Sequence, residues 1–352
     1  MDLMRRLGMD CPVIQAPMAG VSTPALAAAV SNAGGLGSLG LGAMTAPDAQ
    51  AAIARTRALT ARSFGVNVFC HAPARRDPGA ESAWLDHLRP HFTAFGATPP
   101  ATLHEIYSSF LLDDAMQRLL VGMRPAVISF HFGLPPLSVI ADLRRSGAVL
   151  MGGATSRAEA EMVQNAGLDA VIAQGWQAGG HRGVFDPQAD DARLATLDLL
   201  AELRGLRLPV IAAGGIMSAT QTRAALAAGA VAVQCGTAFL ATPEAATSPA
   251  HRAALAAGDT VMTRAISGRG ARCLRNRFTG IDGAGAPDYP VAYDAGKALN
   301  AAALAAGQTG YGAHWAGTGA AQARALPAAQ VVAWLAGQGD AAGAQDGPGP
   351  AP

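Results

Sequence analysis

The segment QGWQAGGHRG, residues 174–183, combines His181 and Arg182 with four glycines and two glutamines. It is too polar to be an ordinary strand end and too rich in glycine to form much core. A second histidine, His131, stands in SFHFGLP, where the prolines at 135 and 136 stop a helix from continuing. Imidazoles titrate near neutral pH, which suits acid–base catalysis or substrate positioning. His131 and His181 are therefore candidate catalytic residues, and the sequence does not rank them. Neither belongs to an H-x-x-x-H pair, so we predict no metal site.

Two glycine-rich turns form a candidate phosphate site. PVIAAGGI ends a predicted strand at Gly214 and Gly215, and VAVQCGT ends the next strand at Gly236 and Thr237. Glycine lets backbone N–H groups approach an anion closely, and a following helix N-terminus adds positive potential. The loops after strands 7 and 8 are the usual phosphate site of a (β/α)8 barrel.

Neutral amide side chains at or beside strand ends suggest what the phosphate belongs to. Their mixed donors and acceptors suit an isoalloxazine ring better than a second phosphate. With one phosphate site, they predict FMN rather than FAD or NAD as the cofactor. The amides are those of Gln15, Asn67, Gln174 and Gln234.

Strand-like apolar runs alternate with alanine-rich helical stretches along the chain. Because the strands are continuously apolar, they are typical of a parallel sheet buried on both faces. The fold class is therefore α/β, either a closed TIM (β/α)8 barrel or an open doubly wound sheet. Polar and glycine residues follow six strand ends, which favours the barrel, since a barrel gathers all its strand ends around one mouth. GLGSLG, residues 35–40, matches G-x-G-x-x-G but follows a helix and enters a strand, so it is not a dinucleotide fingerprint. The predicted strands are 13–17, 36–39, 64–68, 126–130, 148–151, 170–174, 209–213 and 231–234, and the predicted helices are 24–33, 48–60, 106–121, 136–146, 156–166, 192–204 and 218–228.

The repeat predicts a barrel domain and a smaller, mainly helical cap domain. We assign residues 1–242 to the barrel, with an insertion at 71–104 that is rich in proline and histidine, and residues 243–326 to the cap. A helix at 327–336 would return to the barrel. The tail 337–352 is rich in Gly, Ala and Pro and is predicted to be disordered.

Composition excludes several classes of function. A formal net charge of +1 over 352 residues provides no electrostatic footprint for nucleic acid or an anionic membrane. The N-terminus lacks a signal-peptide pattern, and no run reaches about 18 strongly apolar residues. We therefore expect a cytoplasmic enzyme, monomeric or homodimeric, whose partners are small molecules. The four cysteines form no C-x-x-C pair and are predicted to be reduced thiols; they are Cys11, Cys70, Cys235 and Cys273.

Segments of the chain, in this order, resemble the four motifs of class I nitronate monooxygenases, formerly called 2-nitropropane dioxygenases. They are QAPMAG with GGLGSLG, FGVNVF, ISFHFGLP and QGWQAGGHRG. The resemblance covers roughly residues 12–335. It implies a TIM barrel with a cap, non-covalently bound FMN, and oxidation of alkyl nitronates, notably propionate 3-nitronate, with O2 to a carbonyl compound and nitrite. One departure is Gln177, where the family usually has glutamate.

The resemblance also implies roles for individual residues. His131 would be the base or a substrate-positioning residue, and His181 a second active-site histidine. We expect FMN to contact strand-end residues, namely Ala16, Pro17, Met18, Asn67, Gln174, Gly179, Gly180, Gly214, Gly215, Gln234, Gly236 and Thr237.

A cap segment, DYPVAYDAGK, supplies a candidate substrate-anion contact. Tyr289, Tyr293 and Lys297 are spaced i, i+4, i+8, which places them on one face of a helix from the first turn after Pro290 onward. Lys297 is the only lysine among 26 Lys and Arg residues. A compact ammonium differs from a planar guanidinium at a tight anion site, and the family resemblance includes a Tyr–Tyr–Lys set that faces the substrate.

Two other functions are compatible with such a barrel. One is an FMN-dependent NAD(P)H:quinone or enoyl-acyl-carrier-protein reductase, which shares the Gly-Gly-His loop but not SFHFGLP or the full AGGHRG. The other is a flavin-binding scaffold without turnover, which has no use for two histidines at strand ends. Flavin reduction by NADPH would favour the reductase, and anaerobic reduction by a nitronate would favour the monooxygenase.

Overall fold

The computed structural model describes residues 3–338 and contains eight parallel strands, β1 to β8, in a barrel. Hydrogen bonding follows the order β1-β8-β7-β6-β5-β4-β3-β2. An isolated parallel bridge between Ile14 and Leu36 then joins β1 to the chain just before β2 and closes the ring. The strands are Val13–Gln15, Gly37–Gly40, Phe64–Phe69, Val127–His131, Val149–Ala154, Ala170–Gln174, Val210–Ala213 and Ala232–Cys235.

Two layers of core explain why the strands are apolar on both faces. Outward-facing residues such as Val13, Leu39 and Ile128 pack against the surrounding helices. Inward-facing residues near the strand starts form a separate cluster with Leu3 and Leu7 of the helix Leu3–Leu7. This cluster fills the N-terminal end of the barrel, so a ligand cavity can form only at the carboxyl ends of the strands.

Twelve α-helices lie in the described residues 3–338, and most begin at a sequence-encoded cap. Thr23, Thr45, Ser156 and Ser218 each accept a hydrogen bond from a backbone N–H in the first turn of the following helix. The helices are Leu3–Leu7, Pro24–Asn32, Ala46–Leu59, Pro78–Thr93, Asp114–Met123, Leu137–Arg145, Arg157–Asn165, Thr196–Glu202, Ala219–Ala227, Pro249–Leu255, Val291–Ala305 and Ala328–Ala336, with short 3-10 turns at Thr237–Phe239, Phe278–Gly280 and Ala320–Gln322.

The first half of one predicted helix is wrong. The segment 106–121 was expected to be helical throughout, but the helix begins only at Asp114. The Asp113 side chain accepts a hydrogen bond from the Met116 N–H at 2.9 Å and starts the helix there. The preceding residues form a loop that brings Tyr107 to the cavity described below.

The region outside the barrel has its own core and a small antiparallel sheet. Its strands are Thr260–Thr263 and Ala271–Leu274, joined at the edge by the two-residue strand Gly180–His181 from the barrel loop. The helix Pro78–Thr93 of the insertion contributes Trp84 and Phe92 to the same buried cluster as the helix Val291–Ala305. We propose on this basis that the insertion 71–104 and residues 243–326 form one cap, with a sheet as well as helices.

The last helix of the described chain packs against the barrel. The helix Ala328–Ala336 buries Val331, Val332 and Leu335 in the barrel's outer core, and the Trp334 indole N–H donates to Met217 O at 3.0 Å. Of the predicted tail, residues 339–352 lie outside the described residues.

Among residues 3–338, no helix has the length and apolar character that a membrane span requires.

Candidate active site

A cavity of about 880 Å³ opens at the carboxyl ends of the barrel strands, beneath the cap. It brings together all the residues that the sequence singled out for catalysis, cofactor binding or substrate binding except Gln15. From the barrel these are Ala16, Pro17, Met18, Asn67, His131, Gln174, Gly179, Gly180, His181, Gly214, Gly215, Gln234, Gly236 and Thr237, and from the cap Tyr289, Tyr293 and Lys297.

The loop QGWQAGGHRG, residues 174–183, is held between the barrel and the cap. Gly180 and His181 pair with Arg272 and Ala271 of the cap strand, and Gly180 has φ +74°, which glycine adopts readily. A Cβ at Gly179 would lie 2.4 Å from the Ala316 carbonyl carbon, so only glycine fits beneath the cap there. The glycines therefore serve close approach of two backbones.

Arg182 anchors the same loop and does not reach the cavity. Its side chain is buried and forms a bidentate ion pair with Asp191, at 2.7 and 3.0 Å. It also donates to the backbone oxygens of Gln174 and Gly175, at 2.9 and 3.1 Å. Because a buried guanidinium needs such partners, these contacts of Arg182 stabilise the conformation of the loop.

The two candidate catalytic histidines are linked through one backbone carbonyl. The His131 Nε2 lies 3.2 Å from His181 O, and the Gln174 amide donates to the same oxygen at 3.0 Å. Because a carbonyl only accepts, His131 carries its proton on Nε2. The His181 Nε2 lies 2.8 Å from Ser267 Oγ. The Phe132 ring contacts both imidazoles, with its centroid 4.4 Å from that of His131 and 5.7 Å from that of His181.

Burial keeps both imidazoles neutral at pH 7. Loss of solvation lowers the pKa of His131 to about 4 and that of His181 to about 3. The positive charge of Arg269, whose guanidinium lies 4.1 Å from the Phe132 ring centroid, lowers both pKa values further. Neutral imidazoles can accept a proton or a hydrogen bond at the nitrogen that carries no hydrogen.

We expect the free energy of unfolding to fall as the pH is lowered from about 6.5 to about 5. His71 and His251 are buried, and desolvation lowers the pKa of each from 6.5 to about 4. The pKa values of His131 and His181 are lowered in the same way, so all four histidines contribute. Between those values the unfolded chain binds more protons than the folded chain, so stability is present above pH 6.5 and is lost as the pH falls. The loss is about 1.5 kcal/mol per histidine between pH 6.5 and pH 5. Urea unfolding at both pH values measures it.

A matched pair of variants checks that these buried histidines cause the loss. His71→Gln and His251→Gln should each reduce the pH dependence by one histidine's share, because both imidazoles are buried. Equal unfolding free energies at the two pH values in the native protein would contradict the prediction.

The turns after β7 and β8 face the cavity with backbone rather than with charged side chains. Gly214 and Gly215 have φ of +117° and +72°, and a Cβ at Gly215 would lie 2.8 Å from the Gln177 Cβ. Within residues 3–338, no acceptor takes the backbone N–H of Gly215 or Thr237. At Gly236, a Cβ would meet only ordinary contacts at 3.5 Å or more, so the glycine leaves room on the cavity side.

The four amides that the sequence grouped together have different surroundings. Gln15 corrects the prediction: it is fully buried, does not line the cavity, and bonds Ser22 and the Ser38 N–H. Gln174 lines the cavity, but both ends of its amide already have partners. Its oxygen accepts from Gly183 N at 2.7 Å, and its nitrogen donates to His181 O at 3.0 Å.

The remaining two amides are better placed for a ligand. Asn67 donates to Ser129 O and Oγ, at 3.1 and 2.9 Å, which leaves its Oδ1 without a donor among residues 3–338. Gln234 lines the cavity beside the turn at Gly236.

The cap side of the cavity carries a tyrosine cluster and one cation. The helix begins at Val291, so Tyr289 precedes it and only Tyr293 and Lys297 share its face. Lys297 is exposed and forms no ion pair with a described residue, and among the residues lining the cavity it is the sole Lys or Arg. Its Nζ lies 4.9 Å from the Tyr107 ring centroid.

Several cavity residues were missed by the sequence analysis. Tyr107 was assigned to a helix interior, and its aromatic type alone gave no signal. Phe132 has φ +73°, an uncommon conformation for a bulky residue that occurs mostly at functional sites, and only its position beside His131 could have pointed to it. Ser267 and Arg269 were missed as well; they do not line the cavity, but they contact His181 and the Phe132 ring, and both lie in the cap segment ISGRG, which meets these residues only when the cap folds over the barrel.

Comparison with known proteins identifies the family of the chain. The family model described as nitronate monooxygenase matches residues 2–337. The chain belongs to the nitronate monooxygenase family. Members of this family are flavin-dependent oxidoreductases.

The similarity to members of the family extends over nearly the whole chain. A nitronate monooxygenase from Paraburkholderia phytofirmans is 58% identical over 342 residues, which is 95% of this chain and 93% of that protein. One from Pseudomonas aeruginosa is 52% identical over 341 residues, which is 94% of this chain and 97% of that protein.

Two solved structures are similar to this chain over nearly its whole length. Nitroalkane oxidase from Streptomyces ansochromogenes has a TM-score of 0.88 and 42% identity and covers 95% of this chain and 97% of its own. FabK from Thermotoga maritima is less similar, with a TM-score of 0.72 and 29% identity over 96% of this chain and 94% of its own.

This chain has Gln177 where the nitronate monooxygenase family usually has glutamate, and the contacts of Gln177 explain why the exchange is tolerated. The Gln177 Oε1 accepts hydrogen bonds from Thr196 N and Thr196 Oγ1, at 2.9 and 3.0 Å. An amide oxygen accepts these bonds as a carboxylate oxygen would. The substitution therefore preserves the packing of the loop against the helix Thr196–Glu202, without the additional charge.

Proposed function

We propose that the protein is an FMN-dependent nitronate monooxygenase that oxidises alkyl nitronates, propionate 3-nitronate in particular, with O2 to a carbonyl compound and nitrite. One observation carries the proposal. Two neutral histidines, a lysine without an ion-pair partner among residues 3–338, and the glycine turns after β7 and β8 all line one cavity.

The donors around the cavity fit FMN. The N–H groups of Gly215 and Thr237, together with the helix that begins at Ala219, would hold a single phosphate. The Asn67 and Gln234 amides would contact the polar edge of the isoalloxazine ring. No arginine lines the cavity in residues 3–338 to bind a second phosphate, which supports FMN over FAD.

The chain's own residues account for substrate binding and proton handling. When bound, FMN supplies the redox chemistry between the nitronate and O2. The cap roof formed by Tyr289, Tyr293 and Trp315 limits the access of water to the cavity. The Lys297 ammonium attracts an anionic substrate at the mouth, and the neutral His131 and His181 hold the reacting end or accept a proton from it.

The purified protein should be yellow and should release FMN on heat denaturation. The expectation rests on one phosphate site and on the absence of a dinucleotide fingerprint in the sequence. Chromatography of the supernatant against FMN and FAD standards measures it. Recovery of FAD would contradict the cofactor assignment.

An oxygen electrode tests the activity itself. We expect oxygen consumption and nitrite release with propionate 3-nitronate at rates far above those with NADH or NADPH. The similarity to FabK makes the two nicotinamide nucleotides the appropriate controls. Oxygen consumption that depends on NADH or NADPH and not on the nitronate would favour the reductase alternative.

A further inference from the structure

A serine of the cap contacts one of the two histidines, while the other is held only by the barrel loop. Ser267 lies in the turn that connects the cap strands Thr260–Thr263 and Ala271–Leu274, and it is 1% exposed. Its Oγ lies 2.8 Å from the His181 Nε2 and 3.2 Å from Arg269 O. No residue of the barrel offers the His181 ring a comparable polar contact within residues 3–338.

The two contacts of Ser267 determine where the protons lie. A hydroxyl has one hydrogen, and the Arg269 carbonyl can only accept. Ser267 is its hydrogen-bond donor among the described residues, and the carbonyl belongs to a buried residue, so leaving it unpaired would be costly. The hydroxyl therefore donates to Arg269 O and accepts from His181 Nε2–H. His181 then carries its lone pair on Nδ1.

The turn that holds Ser267 is fixed by close packing. Gly268 has φ +84°, and a Cβ there would lie 2.0 Å from Pro287 O and 2.9 Å from Tyr289 N. The His181 backbone is fixed as well, because it pairs with Ala271 of the cap strand. Both ends of the His181–Ser267 contact are thus set by the cap, and the ring is enclosed by Tyr289 and Trp315, with centroids 5.3 and 5.0 Å away.

We propose that Ser267 is a positioning residue that holds the His181 imidazole with its proton on Nε2, so that Nδ1 is the nitrogen that meets the substrate. The proposal rests on the proposed nitronate oxidation for its catalytic consequence. The assignment of the proton does not depend on any activity. His131 needs no such partner, because its Nε2–H donates to the backbone oxygen of His181.

The direct test is the protonation state of His181 in the flavin-bound protein. Long-range 1H–15N correlation spectra of histidine-labelled protein distinguish a protonated Nε2 from a protonated Nδ1, and the His181 signals are identified by their loss in His181→Asn. We expect a single Nε2–H tautomer in the native protein and a mixture of tautomers in Ser267→Ala. A protonated Nδ1 in the native protein, or an unchanged tautomer in Ser267→Ala, would overturn the proposal.

Kinetics provide the second readout. Ser267→Ala should lower kcat for ethyl nitronate about tenfold with little change in KM, because ring orientation matters after binding. In a His181→Asn background the same substitution should cause no further loss, whereas in a His131→Asn background its full effect should remain. An equal loss in both backgrounds would show that Ser267 does not act through His181.

A matched control is available elsewhere in the barrel. Ser31 is fully buried, donates to Ser63 O at 2.8 Å and accepts from Gly37 N at 3.0 Å, and it does not line the cavity. Ser31→Ala removes a hydroxyl with the same number of hydrogen bonds and should leave kcat unchanged. If the native protein turns over no nitronate, the proposed function fails, while the spectra still decide the role of Ser267.

Discussion

Replacing His131 or His181 by asparagine is expected to lower nitronate turnover at least about tenfold, within the range of about 10²–10⁴ that is usual for the loss of an acid–base group. Asparagine retains a polar side chain of similar reach but cannot take up a proton near neutral pH. Each imidazole lines the cavity and is kept neutral by burial, so each has a nitrogen that can accept. The measurement is steady-state kinetics with ethyl nitronate on flavin-saturated variants.

Flavin content and a third histidine serve as controls for this prediction. Both variants should retain the cofactor, because neither side chain lies in the turns that would hold the phosphate. His104→Asn should behave as the native protein does, since His104 is exposed and does not line the cavity. Native kinetics in both active-site variants would reduce His131 and His181 to structural residues.

Lys297→Met should raise the KM for propionate 3-nitronate about five- to tenfold and leave the KM for ethyl nitronate nearly unchanged. Only the former substrate carries an additional carboxylate. A charge-assisted contact at this partly screened position contributes about 1–1.5 kcal/mol. Lys297 has no competing ion pair among residues 3–338, and the Tyr107 ring lies beside its ammonium, so the charge is available at the mouth.

Two further comparisons sharpen the test of Lys297. Lys297→Arg keeps the charge and should recover part of the native KM for propionate 3-nitronate, while its different shape limits the recovery. Raising the ionic strength should reduce the difference between the native protein and Lys297→Met, because salt screens an exposed charge. Equal changes in KM for both substrates would mean that Lys297 does not recognise the carboxylate.

Local sequence signals were sufficient to predict the barrel and the residues at its mouth. The strand Ala170–Gln174 was predicted to the residue, because a continuous apolar run ends there at a glycine-rich loop. Strand ends converge in any such barrel, so residues as distant as Met18 and Gly236 could be assigned to one site without knowledge of their contacts.

Contacts between the cap and the barrel could not be predicted in this way. Gly180 and His181 carry no strand pattern, and they become a strand only because the cap strand Ala271–Leu274 supplies hydrogen-bond partners. Likewise, Trp84 has its apolar partners in a helix about two hundred residues later in the chain. Periodicity reports local structure, whereas these pairings depend on tertiary packing.

The most direct test of nitronate oxidation is to mix the flavin-bound protein anaerobically with a nitronate and to monitor the visible absorbance band of the flavin. We predict that propionate 3-nitronate bleaches this band rapidly, that admitting O2 restores it with release of nitrite, and that NADPH has little effect. Rapid bleaching by NADPH together with an unchanged band in the presence of the nitronate would contradict the proposed nitronate monooxygenase activity.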